Sequence, residues 1–248
     1  MKYKNFGRDI LKCDFEEGWS KWPSDSNKGV PMPPGQKPCL SEAKLIDLVA
    51  PEHFDFAIKL VDAIKNRRSR RKFTQDFLTM KELSFLLWST QGITDKDVFA
   101  HRAAPSAGAC HPFETYLVIR RVKDLKPGVY RYVPLDHKLC LVSAQSGITD
   151  KISTSCFEIN QLQMHGAAVV FVWTAVPYRS EWRCGPYAYK FIALDAGHVC
   201  QNLYLAVEAI HAGACAVAAY EQDAIDKIIE VNGRDEFTVY LATVGKIA

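Results

Sequence analysis

The sequence predicts one α+β domain with an extended arm at its N-terminal side. Three observations carry this. Apolar residues recur at helical spacing in some stretches and form short strand-like runs in others, the two kinds interleaved along the chain. No repeat of about 20 to 50 residues appears. No Pro-, Gly- or Ser-rich linker divides the chain after residue 53. Residues 1–53 are therefore expected to be an arm and residues 54–248 the domain. With 248 residues, 48% of them apolar, there is ample material for a core.

Taken in order, the arm has little periodicity but carries Trp19, Trp22 and the Gly/Pro-rich run 29–38, so it is expected to lie against the body or a second subunit. Phe54, Ala57, Ile58, Val61 and Ile64 predict a helix ending at the basic run 67–72. Thr79 and Glu82 form a capping box for a helix whose apolar face is Leu83, Leu86, Leu87 and Thr90, ending near Gly92. Strands are expected at 113–119, 128–133, 138–142 and 167–175, with a helix over 148–158 before the last. The longest helical pattern, 188–211, has Gly213 as its expected stop. A strand at 214–219, a helix at 222–231 and a strand at 237–244 complete the prediction.

The charge balance narrows the function. A net charge of +3 is far from the basicity of a dedicated nucleic-acid binder. The longest apolar stretch, 167–176, is half the length a membrane helix needs, and residues 1–10 have no apolar signal core, so a soluble cytoplasmic protein with no membrane partner is expected. The eight cysteines contain no Cys-x-x-Cys and the seven histidines no metal spacing. Free thiols and no metal are the expectation.

Two segments can carry chemistry. The basic run, Arg67-Arg68-Ser69-Arg70-Arg71-Lys72, offers rigid forks of donors and a hydroxyl, which suit a phosphate. A solvated basic corner that steers RNA is the alternative for the run alone. The second, residues 102–112, includes Pro105-Ser106-Ala107-Gly108, whose small side chains let backbone approach a flat aromatic ligand, or simply turn into the next strand. Neither a Gly-x-Gly-x-x-Gly nor a Gly-x-x-x-x-Gly-Lys-Ser/Thr is present, against a Rossmann or P-loop site.

The order of these segments, continued by a buried strand, a long helix and Gly213, resembles the nitroreductase-like FMN flavoproteins over about residues 54–248. The strings Arg102 to Tyr116, Gly128-Val-Tyr-Arg-Tyr132 and Asp195-Ala-Gly-His198 are most similar to the SagB/ThcOx-type dehydrogenases, whose best-known members oxidise azolines in peptides. The resemblance implies a central, mostly antiparallel sheet flanked by helices, and a homodimer with FMN at the subunit interface. It implies that Arg67, Arg68, Ser69 and Arg71 hold the FMN phosphate, ribityl chain and pyrimidine side, with Lys246 also at the phosphate. By the same resemblance, Pro105, Ser106, Ala107 and Gly108 are expected to reach over from the partner subunit, and Gln161, Gly213 and Ala214 to face the ring.

The activity so implied is hydride transfer at flavin N5 to or from a small molecule or peptide, with NAD(P)H as an electron donor, and it requires no side-chain nucleophile. Where azole-forming members carry a Lys-Tyr pair before the long helix, this chain reads Arg183-Cys184-Gly185, leaving Arg183 and Tyr187 as candidates for a proton donor or substrate anchor. Two other readings stay open: a flavin-fragmenting enzyme resembling 5,6-dimethylbenzimidazole synthases, and a non-enzymatic flavin- or RNA-binding module.

Overall fold

A computed structural model describes residues 8, 10–12, 23–39, 42–95, 100–157, 161, 164 and 166–248. Trp19, Trp22 and residue 158 lie outside them. The sheet is antiparallel at every pairing and runs β1 (Leu45–Asp47), β4 (Lys138–Ser143), β3 (Gly128–Val133), β2 (Phe113–Ile119), β5 (Val169–Ala175), β7 (Phe237–Lys246) and β6 (Ala212–Val217) across its width.

The central strands are covered on both faces, because β2 and β5 are buried at every residue. Alternate side chains feed two cores. Phe113, Leu117, Phe171 and Trp173 pack with the helices α2 (Met80–Gln91) and α5 (Ala188–Ala209). Tyr116, Val118, Val170 and Val172 pack with α3 (Ile148–Thr154) and α6 (Gln222–Ile228). The capping box forms as expected: Thr79 Oγ1 accepts from the Glu82 backbone and Glu82 Oε2 from the Thr79 backbone.

Several expectations are corrected. The helix expected from residue 54 begins later, as α1 (Leu60–Asn66), because Phe54 lies in extended backbone and packs on Phe85 and Trp88 of α2, with Phe56 beside it on Phe85. The apolar stripe of α1 is exposed, Leu60 at 65% and Val61 at 66%. Gly213 does not stop the long helix, which ends at Ala209 with Ile210 as its C-cap and His211 at φ 51°; Gly213 sits inside β6. The strand β1 and the helix α4 (Tyr178–Cys184) have no counterpart in the sequence prediction.

Residues 26–38 of the arm lie against the body, beside α4. Its prolines lack N–H groups, and arginines of the domain take its carbonyls instead: Arg179 donates to Pro34 O, Arg102 to Gly35 O, and Arg131 to both Lys37 O and Pro38 O. Glu114, buried on β2, accepts from Arg131 at 2.9 Å, Arg179 at 2.5 Å and the Lys37 backbone at 2.7 Å. Burial alone would raise its pKa, but Arg179 and Arg131 outweigh that and hold it below the usual carboxylate value.

Candidate functional site

Two surfaces of α5 organise the candidate residues. On one side, the basic segment runs beside β6: Ser69 bridges Ala214 in parallel, and the Arg70 N–H donates to Ala214 O at 2.9 Å. The approach is close enough that a Cβ on Gly213 would fall 2.8 Å from the Arg70 side chain. Glycine is needed there for contact, not for turning. Arg67 lies over the Tyr204 ring of α5, and Ser69 Oγ is 3.1 Å from the Tyr204 hydroxyl. Thus the structure brings together Arg67, Ser69, Gly213 and Ala214, which are far apart in sequence.

Within this group the cations have little anionic company. Arg68 satisfies backbone carbonyls at the end of α1, Lys65 O and Arg67 O. Arg71 reaches Ser69 O, and Arg70 Nε is buried without a partner. Among the described residues none of Arg67, Arg68, Arg70 or Arg71 forms an ion pair. Lys246 is different: its ammonium is engaged by Glu82 Oε1 at 2.5 Å and Ile210 O at 2.8 Å. Gln161 donates to Cys156 O.

On the other side, residues 105–108 are tied to α5 by Asp195. Ser106 Oγ donates to Asp195 Oδ2 at 2.5 Å, and the Ala107 N–H to Oδ1 at 3.1 Å. Burial raises the Asp195 pKa, and these two bonds oppose the rise. Gly108 at φ 62° and Ala109 at φ 53° take the left-handed turn that Gly108 makes easy. A side chain at Gly108 would also strike Arg183, whose Cδ lies 2.8 Å from where its Cβ would be. Arg183 itself is exposed, while Tyr187 is half-buried in the turn that precedes α5.

The two groups contact opposite sides of one helix. Asp195 and Tyr204 are nine residues apart on α5, two and a half turns and about 14 Å along its axis. Between them, on the side away from the core, lies an exposed arc that includes Leu194, Gly197, His198 and Gln201. Sequence reading missed Asp195 and Tyr204 as site residues. The available signal was a carboxylate and a phenol inside the apolar stripe of the long helix.

Comparison with known proteins places these features in context. The sequence profile of the nitroreductase family matches residues 64–246. The protein MJ1384 of Methanocaldococcus jannaschii, named for the nitroreductases, is 30% identical over 189 residues, covering 76% of this chain and 91% of that protein. The crystal structure of a nitroreductase-type protein from Ralstonia eutropha JMP134 superposes with a TM-score of 0.69 at 24% identity, covering 86% of this chain and 94% of that one. A chain of the Escherichia coli microcin synthetase McbBCD, solved with truncated pro-MccB17 bound, gives 0.63 at 19% identity over 82% of this chain and 78% of its own. At these identities the two structures speak to the fold.

Proposed function

Because the chain belongs to the nitroreductase family, whose members are oxidoreductases, we propose that it works as an FMN-dependent homodimer passing hydride to or from a small molecule or peptide. The observation that carries this reading is the uncompensated basic segment seated on β6, with Arg70 Nε buried and unpartnered. An unneutralised cluster at that position fits a phosphate-bearing group. Arg67, Arg68, Ser69 and Arg71 would hold the phosphate and ribityl chain. Gly213, Ala214 and Gln161 would face the ring. FMN, when bound, supplies the hydride chemistry at N5; the chain binds and orients it and supplies cationic donors where the ring gains negative charge.

Homodimerisation is supported by the geometry of α5. Residues 105–108 and the basic segment sit on opposite sides of that helix, so one chain does not bring them together, whereas a second copy seated on the exposed arc would set its own 105–108 loop toward the first chain's arginines. The exposed Leu60, Val61 and Ile64 of α1 and Leu194 of α5 provide apolar surface for such a contact. A peptide substrate is the extension suggested by the fold shared with the microcin synthetase chain.

The deciding experiment is to reduce the purified protein with NAD(P)H or dithionite, admit air, and follow flavin absorbance and products by mass spectrometry. Intact flavin recovered over repeated cycles is expected. Flavin lost in proportion to the oxygen consumed, with a benzimidazole formed, would replace this reading with the fragmenting one; colourless protein that takes up no flavin would overturn both.

A further inference from the structure

A cavity of about 270 Å³ lies between the arm, α4 and the end of the 105–108 loop. One wall comes from Met32, Pro33 and Gly35, which precede the family match at 64–246. This pocket is thus built partly by an element the family profile does not describe. Trp182 and Leu135 add apolar surface, and the Trp182 ring is fixed by its Nε1 donating to Val30 O at 2.8 Å.

The polar lining is cationic. Arg102, Arg179 and Arg183 all line the cavity, and among the described residues no carboxylate does. Arg179 has Glu114 as its counter-ion. Arg102, only 8% exposed, has neutral partners: Gln91 Oε1, Phe113 O and Gly35 O. Arg183 forms no ion pair among the described residues. Among the described residues, three buried nitrogens of lining residues have no hydrogen-bond partner, Arg102 Nε, Arg179 Nη1 and His111 Nε2, in side chains only 8%, 4% and 6% exposed. A buried guanidinium whose direct hydrogen-bond partners are all neutral is stabilised by an anion placed beside it.

We propose that this pocket binds a small monocarboxylate with an apolar body, its carboxylate on the Arg183 fork and in the field of Arg102, its body against Met32, Pro33 and Trp182. A single carboxylate matches the one exposed fork, and the apolar walls disfavour the heavily hydrated phosphate dianion. The proposal does not rest on the flavin reading.

The test uses the purified full chain, 3-phenylpropionate as probe and 3-phenylpropionamide as its neutral counterpart, measured by isothermal titration. Saturable binding of the acid, with the amide about tenfold weaker or more, is expected, because only the acid makes the charge-assisted bond. Arg183→Gln should weaken the acid by about tenfold and leave the amide unchanged. Arg71→Gln should leave acid binding unchanged, which separates this pocket from the basic segment. The proposal is overturned if the acid shows no saturable binding, if acid and amide bind alike, if Arg183→Gln has no effect, if Arg71→Gln weakens the acid as much, or if inorganic phosphate displaces the acid at equal concentration.

Discussion

Ser106 and Asp195, 89 positions apart in sequence, are joined by a 2.5 Å hydrogen bond that fixes the small-residue loop to the long helix. The Ala107 N–H shares the same carboxylate, and Ser106 Oγ in turn accepts from the His111 N–H at 2.9 Å. One buried acid therefore sets the shape of the loop. Asp195→Ala should cost about 2 kcal/mol in denaturant unfolding, since hydrogen bonds to a charged group are worth about 1.5 to 3 kcal/mol each. Asp195→Asn, which keeps an acceptor, should cost less. Equal losses for the two variants would mean that the carboxylate does not organise the loop.

The basic segment is open to a direct test. Arg67→Ala combined with Arg71→Ala should give protein that is folded but colourless, because Arg71 is exposed and Arg67 only half-buried, while their lost bonds to a phosphate would each weaken flavin binding by about tenfold or more. Visible absorbance beside circular dichroism reads both properties. Parent-level flavin occupancy at just-saturating FMN would remove these residues from the site.

Gly197 offers a clean probe of assembly, since a Cβ there meets nothing within 4 Å in the single chain. Gly197→Arg should leave the monomer folded but prevent a second copy from seating on α5. Light scattering should show monomer, and flavin should be lost with the dimer. A flavin-loaded monomer would contradict the shared site.

Glu114 anchors the arm through two arginines. Glu114→Gln removes the carboxylate that Arg131 and Arg179 share and leaves two buried guanidiniums uncompensated among the described residues, a change that typically costs about 3 to 5 kcal/mol. Limited proteolysis should then cut within residues 24–39 at conditions the parent resists. Unchanged protection of that segment would show that the carbonyl contacts hold the arm without the acid.

His111 predicts the pH dependence. Burial, with Arg102 and His101 nearby, depresses its folded pKa to about 3 from the usual 6.5. The unfolded chain then binds a proton that the folded chain refuses, so stability from this group is present above about pH 6.5 and is lost as pH falls toward 3. The slope is at most about 1.4 kcal/mol per pH unit. Melting curves across that window should be flatter for His111→Leu than for the parent; parallel curves would refute the assignment.

Local signals made much of this legible. The Thr79–Glu82 capping box, the strands 113–119 and 128–133 and the course of the long helix are all where adjacent residues put them. What failed depended on tertiary contact. Phe54 abandons helical spacing to reach Phe85 and Trp88. Gly213 reads as a helix stop, yet its purpose is the close passage of Arg70, which only the β6 neighbourhood reveals. Two site segments stood out by composition, but Asp195 was invisible as the anchor of the 105–108 loop because an acid in an apolar stripe gives no hint of what it faces.

The place of β7 has a consequence for how the molecule is made. Among the described residues this strand comes after every other strand yet lies between β5 and β6, and β6 has no other strand beside it. While residues 237–246 are still inside the ribosome, β6 cannot join the sheet, and the Ser69–Ala214 bridge has no fixed wall to form against. Maturation of the basic segment is therefore a late event in biosynthesis, and nascent chains stalled before β7 should leave an unsealed edge on β5 for chaperones to guard.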